Sequence, residues 1–327
     1  MHYRNKAQYP VGIGSDGKPV SGFYAKRSHQ IIDFESCAIQ DEISVKIRNH
    51  IIESVREAGI PAYDETTGKG ILRQIITRTA STGVMVVLVV TTEKIPALKD
   101  LIQNISARFP EIRSIVLNIN NRKGSVIPGE KNITVYGQDA ISDRLGRYVF
   151  HISPLSFYQV NRVQTEILYE KVLEYADLTG NETVFDLYCG IGTISIFLAG
   201  KAKTVIGIES VKEAVEMAER NKLVNNISNI EFYHGKAEDI TIELYQKGIK
   251  ADVVVVDPPR KGCDGKLLET ITGMRPARIV YVSCNPSTLA RDLKYLAGKG
   301  YRIEQVQPVD MFPWTKHVEC VVLITKL

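Results

Sequence analysis

Val253-Val254-Val255-Val256-Asp257-Pro258-Pro259-Arg260-Lys261-Gly262 reads as a buried strand that opens into a loop. An unbroken run of apolar, β-branched residues suits a strand covered on both faces, as in a parallel sheet. A second stretch repeats the pattern: Ile279 to Val282 is apolar and runs into Ser283-Cys284-Asn285-Pro286. In α/β proteins the loops at the carboxyl ends of such strands hold the ligands. One thiol and several carboxylates are therefore aimed at one crevice.

Working outward, strand, loop and helix alternate. Strands are expected at Thr183 to Leu187, Thr204 to Glu209, Asn229 to Tyr233, Asp252 to Val256 and Arg278 to Ser283, with helices near Ile194, Val211 to Val224 and Leu267 to Gly273. That order predicts an α/β fold, a mostly parallel Rossmann-like sheet with right-handed crossovers and helices on both faces. The last strands, near Tyr301 to Val306 and Val318 to Thr325, are expected to pair antiparallel at its edge. Ahead of the sheet, Ser153 to Asn161 leads into a helix whose apolar positions include Val163, Ile167, Val172 and Tyr175.

Residues 1–130 read as a smaller α+β domain and 131–327 as the main one, with residues 120–150 as a polar connection. Residues 1–40 resemble short hairpin strands punctuated by Gly and Pro. Ile43, Ile47, Ile51 and Val55 recur every four positions and predict a helix stopped by Gly59 and Pro61. Strands near 71–79, 84–91, 112–119 and 132–136 and a helix near 96–109 complete the unit. Nothing in it looks catalytic.

At 327 residues and 44% hydrophobic content, the chain is long enough for two cores. Residues 1–150 carry 20 Lys/Arg against 15 Asp/Glu, so the basic excess lies in the first part, compatible with a polyanionic partner. Lys26, Arg27, Arg122 and Lys123 are candidates for contacting one. Five cysteines, Cys37, Cys189, Cys263, Cys284 and Cys320, form no CxxC pair and no metal-ligand spacing. No metal site is expected, and a reducing, cytoplasmic setting fits. No signal-type apolar segment or membrane-length run is present. A monomer is expected.

Asp186-Leu187-Tyr188-Cys189-Gly190-Ile191-Gly192-Thr193 joins the first parallel strand to its helix. Gly190 and Gly192 let the backbone turn tightly against a ligand. Glu209 ends the next strand, where an acid can accept hydrogen bonds from both ribose hydroxyls. The third glycine of a dinucleotide fingerprint is absent, with Ser195 in its place, so a nucleoside without a pyrophosphate, such as S-adenosylmethionine, fits better. Asp257 is placed to hold the cofactor or a base. Cys284, at a strand end, is presented at the ligand edge, whereas packing is the default role of the other cysteines. Glu319 directly precedes an apolar strand and, if that strand sets it opposite Cys284, is a candidate base. His317 has no partner at ligand spacing.

Together these motifs resemble the RNA 5-methyluridine methyltransferase family, dependent on S-adenosylmethionine. Asp257 to Gly262 matches its Asp-Pro-(Pro/Ala)-Arg-x-Gly motif, Tyr281 to Thr288 its Tyr-x-Ser-Cys-Asn-x-x-Thr motif, and Asp310 to Glu319 its Asp-x-Phe-Pro-x-(Thr/Ser)-x-His-x-Glu motif. Trp314 stands where Gln, His or Tyr is more usual. The resemblance runs from about Tyr3 to the C-terminus and is specific from Ser153 onward. It implies Cys284 as nucleophile, Glu319 as proton acceptor, and Gln159, Tyr188, Glu209 and Asp257 as cofactor contacts. It also implies an RNA substrate, 23S ribosomal RNA first and transfer RNA second. Family members commonly carry a preceding β-barrel RNA-binding domain and three further cysteines for an iron-sulfur cluster. Only Cys37 resembles a ligand of that cluster, so a shortened member or a fragment without an intact cluster is expected. Two other readings stand beside this one. Methylation of an exocyclic amine would place an aromatic where Arg260 stands, and a non-catalytic RNA-binding or assembly module would have no use for Cys284 and Glu319.

Overall fold

The computed structural model describes residues 1–124, 129 and 131–327, which divide into two compact units, Met1–Arg144 with Ile152–Leu155, and Leu145–His151 with Ser156–Leu327. The first unit contains β1 (Lys6–Ile13), β2 (Pro19–Ser21), β3 (Phe23–Tyr24), β4 (Ile31–Ile32), α1 (Glu42–Glu57), β5 (Leu72–Ala80), β6 (Gly83–Val90), α2 (Leu98–Arg108), β7 (Ile112–Ile119) and β8 (Lys131–Gly137). Among the described residues its main sheet has the order β2-β1-β5-β6-β7-β8. Asp41 caps α1 by accepting from the Ile43 amide, and Ile47, Ile51 and Val55, the positions picked out by periodicity, are fully buried in the core.

Two expectations about this part change. The strand expected near 132–136 does complete the first unit, as Lys131–Gly137 antiparallel to β7, but that unit continues past the boundary expected at residue 130, to Arg144. The expected polar connection holds β8, β9 (Ile141–Leu145) and β10 (Tyr148–Ile152), where alternating buried residues such as Ile141, Asp143 and Leu145 set a strand period that local polarity hides. Residues 125–128 and 130 of that connection lie outside the described residues.

The second unit runs α3 (Arg162–Ala176), β11 (Thr183–Leu187), α4 (Thr193–Ala199), β12 (Thr204–Glu209), α5 (Lys212–Val224), β13 (Ile230–His234), α6 (Ala237–Gln246), β14 (Val253–Val256), α7 (Gly265–Met274), β15 (Arg278–Ser283), α8 (Pro286–Ala297), β16 (Tyr301–Val309) and β17 (Glu319–Lys326). Its sheet has the order β13-β12-β11-β14-β15-β17-β16. The five central and left-hand strands are parallel, and β17 is inserted antiparallel between β15 and β16. Val254, Val256, Ile279 and Tyr281 pack with Leu244, Leu267, Ile271, Leu289 and Leu296 of α6, α7 and α8. Their alternates Val253, Val255, Val280 and Val282 are equally buried, so the other face is covered too, by α3, α4 and α5. Each such side chain contributes about 1.5 to 3 kcal/mol on burial, which makes this sheet a rigid support for its edge.

Sequence periodicity missed α6 and α8. In α8 the signal is present: Asn285 caps the helix by accepting from the Ser287 amide, and Pro286 occupies its first turn. Val163 and Ile167 of α3 are not core positions, being 66% and 46% exposed, whereas Val172 and Tyr175 are buried. Among the described residues no helix is long and apolar enough to cross a membrane.

Candidate active site

Strand register brings the predicted residues to one edge of the second sheet. Leu187 pairs with both Ile208 and Val256, so Tyr188, Glu209 and Asp257 follow at the carboxyl ends of three adjacent strands. The strand order reverses between β11 and β14, the place where open α/β sheets leave a ligand crevice. Val256 pairs with Tyr281, which carries the edge on to Cys284 just past β15. On β17, Cys320 pairs with Ser283 in antiparallel register, so the next pair outward is Cys284 with Glu319. A thiol and a carboxylate 35 positions apart in sequence thus face one another across adjacent strand ends.

The electrostatics of this corner are coupled. Glu319 is only 4% exposed. Burial pushes it from its ordinary 4.5 up to about 7, against the opposing charge of Arg260. Asp257, half-buried, is pushed to about 8 by burial and then by Glu319. Burial, then Glu319 and Asp257, raises the Cys284 thiol, and Arg260 pulls it back. Two electrostatically coupled carboxylates beside a thiol suit a positively charged ligand, whose charge would relieve their repulsion.

The cofactor-type loop is built on positive φ. Tyr188, Gly190 and Gly192 have φ values of 67°, 57° and 79°. A Cβ on Gly192 would lie 2.8 Å from the Phe232 ring, whereas one on Gly190 would project into open space. Glu209 braces the loop by accepting from the Gly190 amide at 3.1 Å and the Val211 amide at 2.8 Å. Ser195, in the place of a third glycine, donates to the fully buried Asp186, whose carboxyl burial pushes up to about 7. Gln159 is buried in the segment before α3, and Asn161 of that segment donates to the Met311 carbonyl at 3.2 Å, tying it to the loop that ends at Glu319.

Sequence reasoning did not foresee how the two strand-end motifs are locked together. The Arg260 carbonyl accepts from Asn285 Nδ2 at 2.9 Å and Thr288 Oγ1 at 3.1 Å. Asp292, 1% exposed, accepts from the Cys263 amide and the Tyr281 hydroxyl, while Arg291 donates to the Lys261 carbonyl. Gly262 has φ 79°, and a Cβ there would sit 2.6 Å from Asp292. The first turns of α8 therefore clamp the Arg260 loop over the thiol, which explains why Asn285, Thr288 and Gly262 accompany the cysteine. Cys189, Cys263 and Cys320 are buried in packing positions. Among the described residues no group of three or more His, Cys, Asp or Glu side chains is arranged to hold a metal ion.

The chain is similar to several known RNA methyltransferases. An uncharacterized RNA methyltransferase of Caldanaerobacter subterraneus subsp. tengcongensis is 51% identical over 330 residues, covering 100% of this chain and 73% of the relative. One from Clostridium tetani is 52% identical over 325 residues, covering 99% and 70%. The crystal structure of Pyrococcus abyssi tRNA (uracil-54, C5)-methyltransferase in complex with S-adenosyl-L-homocysteine superposes with a TM-score of 0.82 at 32% identity, covering 99% of this chain and 76% of that one. A family model described as tRNA (Uracil-5-)-methyltransferase matches residues 130–327. With these motifs at one sheet edge, the chain belongs to the tRNA (uracil-5-)-methyltransferase family.

Proposed function

We propose that this chain transfers a methyl group from S-adenosylmethionine to carbon 5 of a uridine in RNA, through a covalent bond from Cys284 to carbon 6. The observation that carries the reading is the juxtaposition of Cys284 and the buried Glu319 across β15 and β17. Carbon 5 of uracil is a poor nucleophile until a thiolate adds to carbon 6 and turns the ring into an enolate. S-adenosylmethionine, when bound, supplies an electrophilic methyl group for that enolate. Glu319 then removes the carbon 5 proton, and the ring expels the Cys284 sulfur to restore its double bond. A carboxylate near 7 is matched to this work at neutral pH. The uridine reaches the thiol by leaving its stack.

Cofactor binding falls to Glu209, on the ribose hydroxyls, to the Tyr188, Gly190 and Gly192 loop, and to Gln159 and Asp257. The open space over Gly190 and the paired carboxylates support a cationic nucleoside there. Replacing Glu209 by Ala should weaken S-adenosylhomocysteine binding by about tenfold to a hundredfold, the loss of charged hydrogen bonds. Calorimetry giving wild-type affinity would remove Glu209 from the site. Cys37 has no second cysteine in its own unit, and no step is routed through an iron-sulfur cluster.

The preferred substrate is 23S ribosomal RNA, on the motif resemblance; the archaeal tRNA methyltransferase favours transfer RNA as the second reading. Basic residues of the first unit support a role in holding the phosphate backbone. The reducing setting of the cytoplasm would keep the five free cysteines reduced. The deciding experiment incubates the protein and S-adenosylmethionine with each RNA transcribed with 5-fluorouridine. Fluorine at carbon 5 cannot leave as a proton, so a complex stable to denaturation is expected with the true substrate. Its absence with both RNAs, despite cofactor binding, would overturn the reading.

pH dependence offers a further check. Turnover requires ionised Glu319, so the single-turnover rate should rise through about pH 7 and continue upward as the raised Cys284 thiol ionises. Stability should run the other way. Glu319, Asp257 and Asp186 all have folded-state values raised from the ordinary 3.8 to 4.5 up to about 7 to 8, so their contribution is full below about pH 4, is lost progressively from there, and is gone above about 7 to 8. Melting temperatures that rise over that interval, or a rate that falls, would contradict the assignment.

A further inference from the structure

Between β16 and β17, Phe312-Pro313-Trp314-Thr315 forms a tight turn in which the Thr315 amide donates to the Phe312 carbonyl at 3.1 Å. Pro313 occupies its second position and Trp314 its third, with φ 67°. This is the type II arrangement, in which the third position normally takes glycine because a side chain is strained there. Trp314 is also 80% exposed. An indole in solvent and a strained backbone are both unfavourable, and glycine would avoid both.

The turn is held firmly. Met311 is fully buried, and its carbonyl accepts from Asn161. Thr315 Oγ1 donates to the Phe312 carbonyl at 2.8 Å and accepts from the His317 amide at 3.2 Å, while the Phe312 and His317 rings meet edge to face. Five residues on, the same loop delivers Glu319 to the thiol. The indole is therefore displayed on a preorganised turn five residues before Glu319, and Lys316, two residues on, is exposed.

We infer that Trp314 is a stacking platform for an unpaired RNA base next to the target uridine. The inference rests on the reading above and adds a substrate contact to it. A flipped uridine leaves its neighbours without their stacking partner, and a flat aromatic surface can replace it whatever base stands there. An exposed cation two residues on suits the adjoining phosphate. Trp314 acts here as a binding and specificity residue, so its loss should fall on RNA affinity rather than on the chemical step.

Trp314 is the sole tryptophan of the chain, so its fluorescence reports the contact directly. Titrating the 327-residue protein with the 23S transcript or the tRNA transcript that it methylates should quench the emission saturably. Trp314→Gly, which relieves the turn strain and keeps the fold, should raise KM for that RNA by about fivefold to a hundredfold, with kcat much less affected, and Trp314→Phe should recover part of the loss. Unchanged emission at RNA concentrations that saturate methylation, or a wild-type KM in Trp314→Gly, would overturn the inference while leaving the methylation reading intact. Failure of the wild-type protein to trap either 5-fluorouridine RNA would instead overturn both.

Discussion

Glu319→Gln is expected to stop the reaction after methyl transfer and leave the protein covalently joined to its RNA. The amide keeps the shape of the side chain but cannot take a proton from carbon 5. Thiolate addition and methyl transfer do not need that base, so the methylated adduct should accumulate with natural uridine, without the fluorine trap. Turnover should fall by a factor on the order of 10² to 10⁴, the usual contribution of a positioned base. Intact mass of the denatured complex, together with nuclease digestion to recover a methylated nucleotide on the Cys284 peptide, checks both parts. Because the buried carboxylate is disfavoured in its charged form, the variant should also be at least as stable as the native chain above pH 7. A variant that turns over normally, or forms no adduct while still binding RNA and cofactor, would remove Glu319 from its role.

Cys284→Ala should abolish the adduct and methylation together. Cys284 is the half-buried thiol at this corner, whereas neighbouring Cys320 is buried, and removing a nucleophile from a site that acts as a unit costs on the order of 10⁴ or more in rate. Cofactor affinity should survive, because Glu209 and the Gly190 loop lie on β11 and β12, away from β15. Folding should survive as well, since Cys284 follows the strand and is only half-buried. The double variant Cys284→Ala, Glu319→Gln should lose no more than the single cysteine variant. Methyl transfer persisting in Cys284→Ala would point to a different chemistry, such as attack by an exocyclic amine.

Much of this was legible in the chain itself, for a physical reason. Val253 to Val256 and Ile279 to Val282 carry a run of apolar residues that only a doubly covered strand can bury, and their loops mark the carboxyl edge. Asp257, Cys284 and Glu209 could be placed at that edge because strand ends are a local property. Glycines with positive φ at 190 and 192 were readable in the same way. Helix α8 was missed although its Asn285-Pro286 start is a local signal, and β9 and β10 were hidden by a polar stretch whose buried alternates only pairing reveals.

Tertiary structure alone decided what depends on register and burial. Local sequence does not state that β17 runs antiparallel beside β15, nor that this register sets Glu319 opposite Cys284; strand order is fixed by long-range pairing. It equally does not state that Glu319 is buried, that Asp292 and Arg291 clamp the Arg260 loop, or that Trp314 sits strained and exposed. Those facts belong to groups distant in sequence, and the shifted carboxyls follow from the dielectric they share. Thus the residue types of the chemistry were determined by the chain, and the pairing that makes thiol and base one site was determined by the fold.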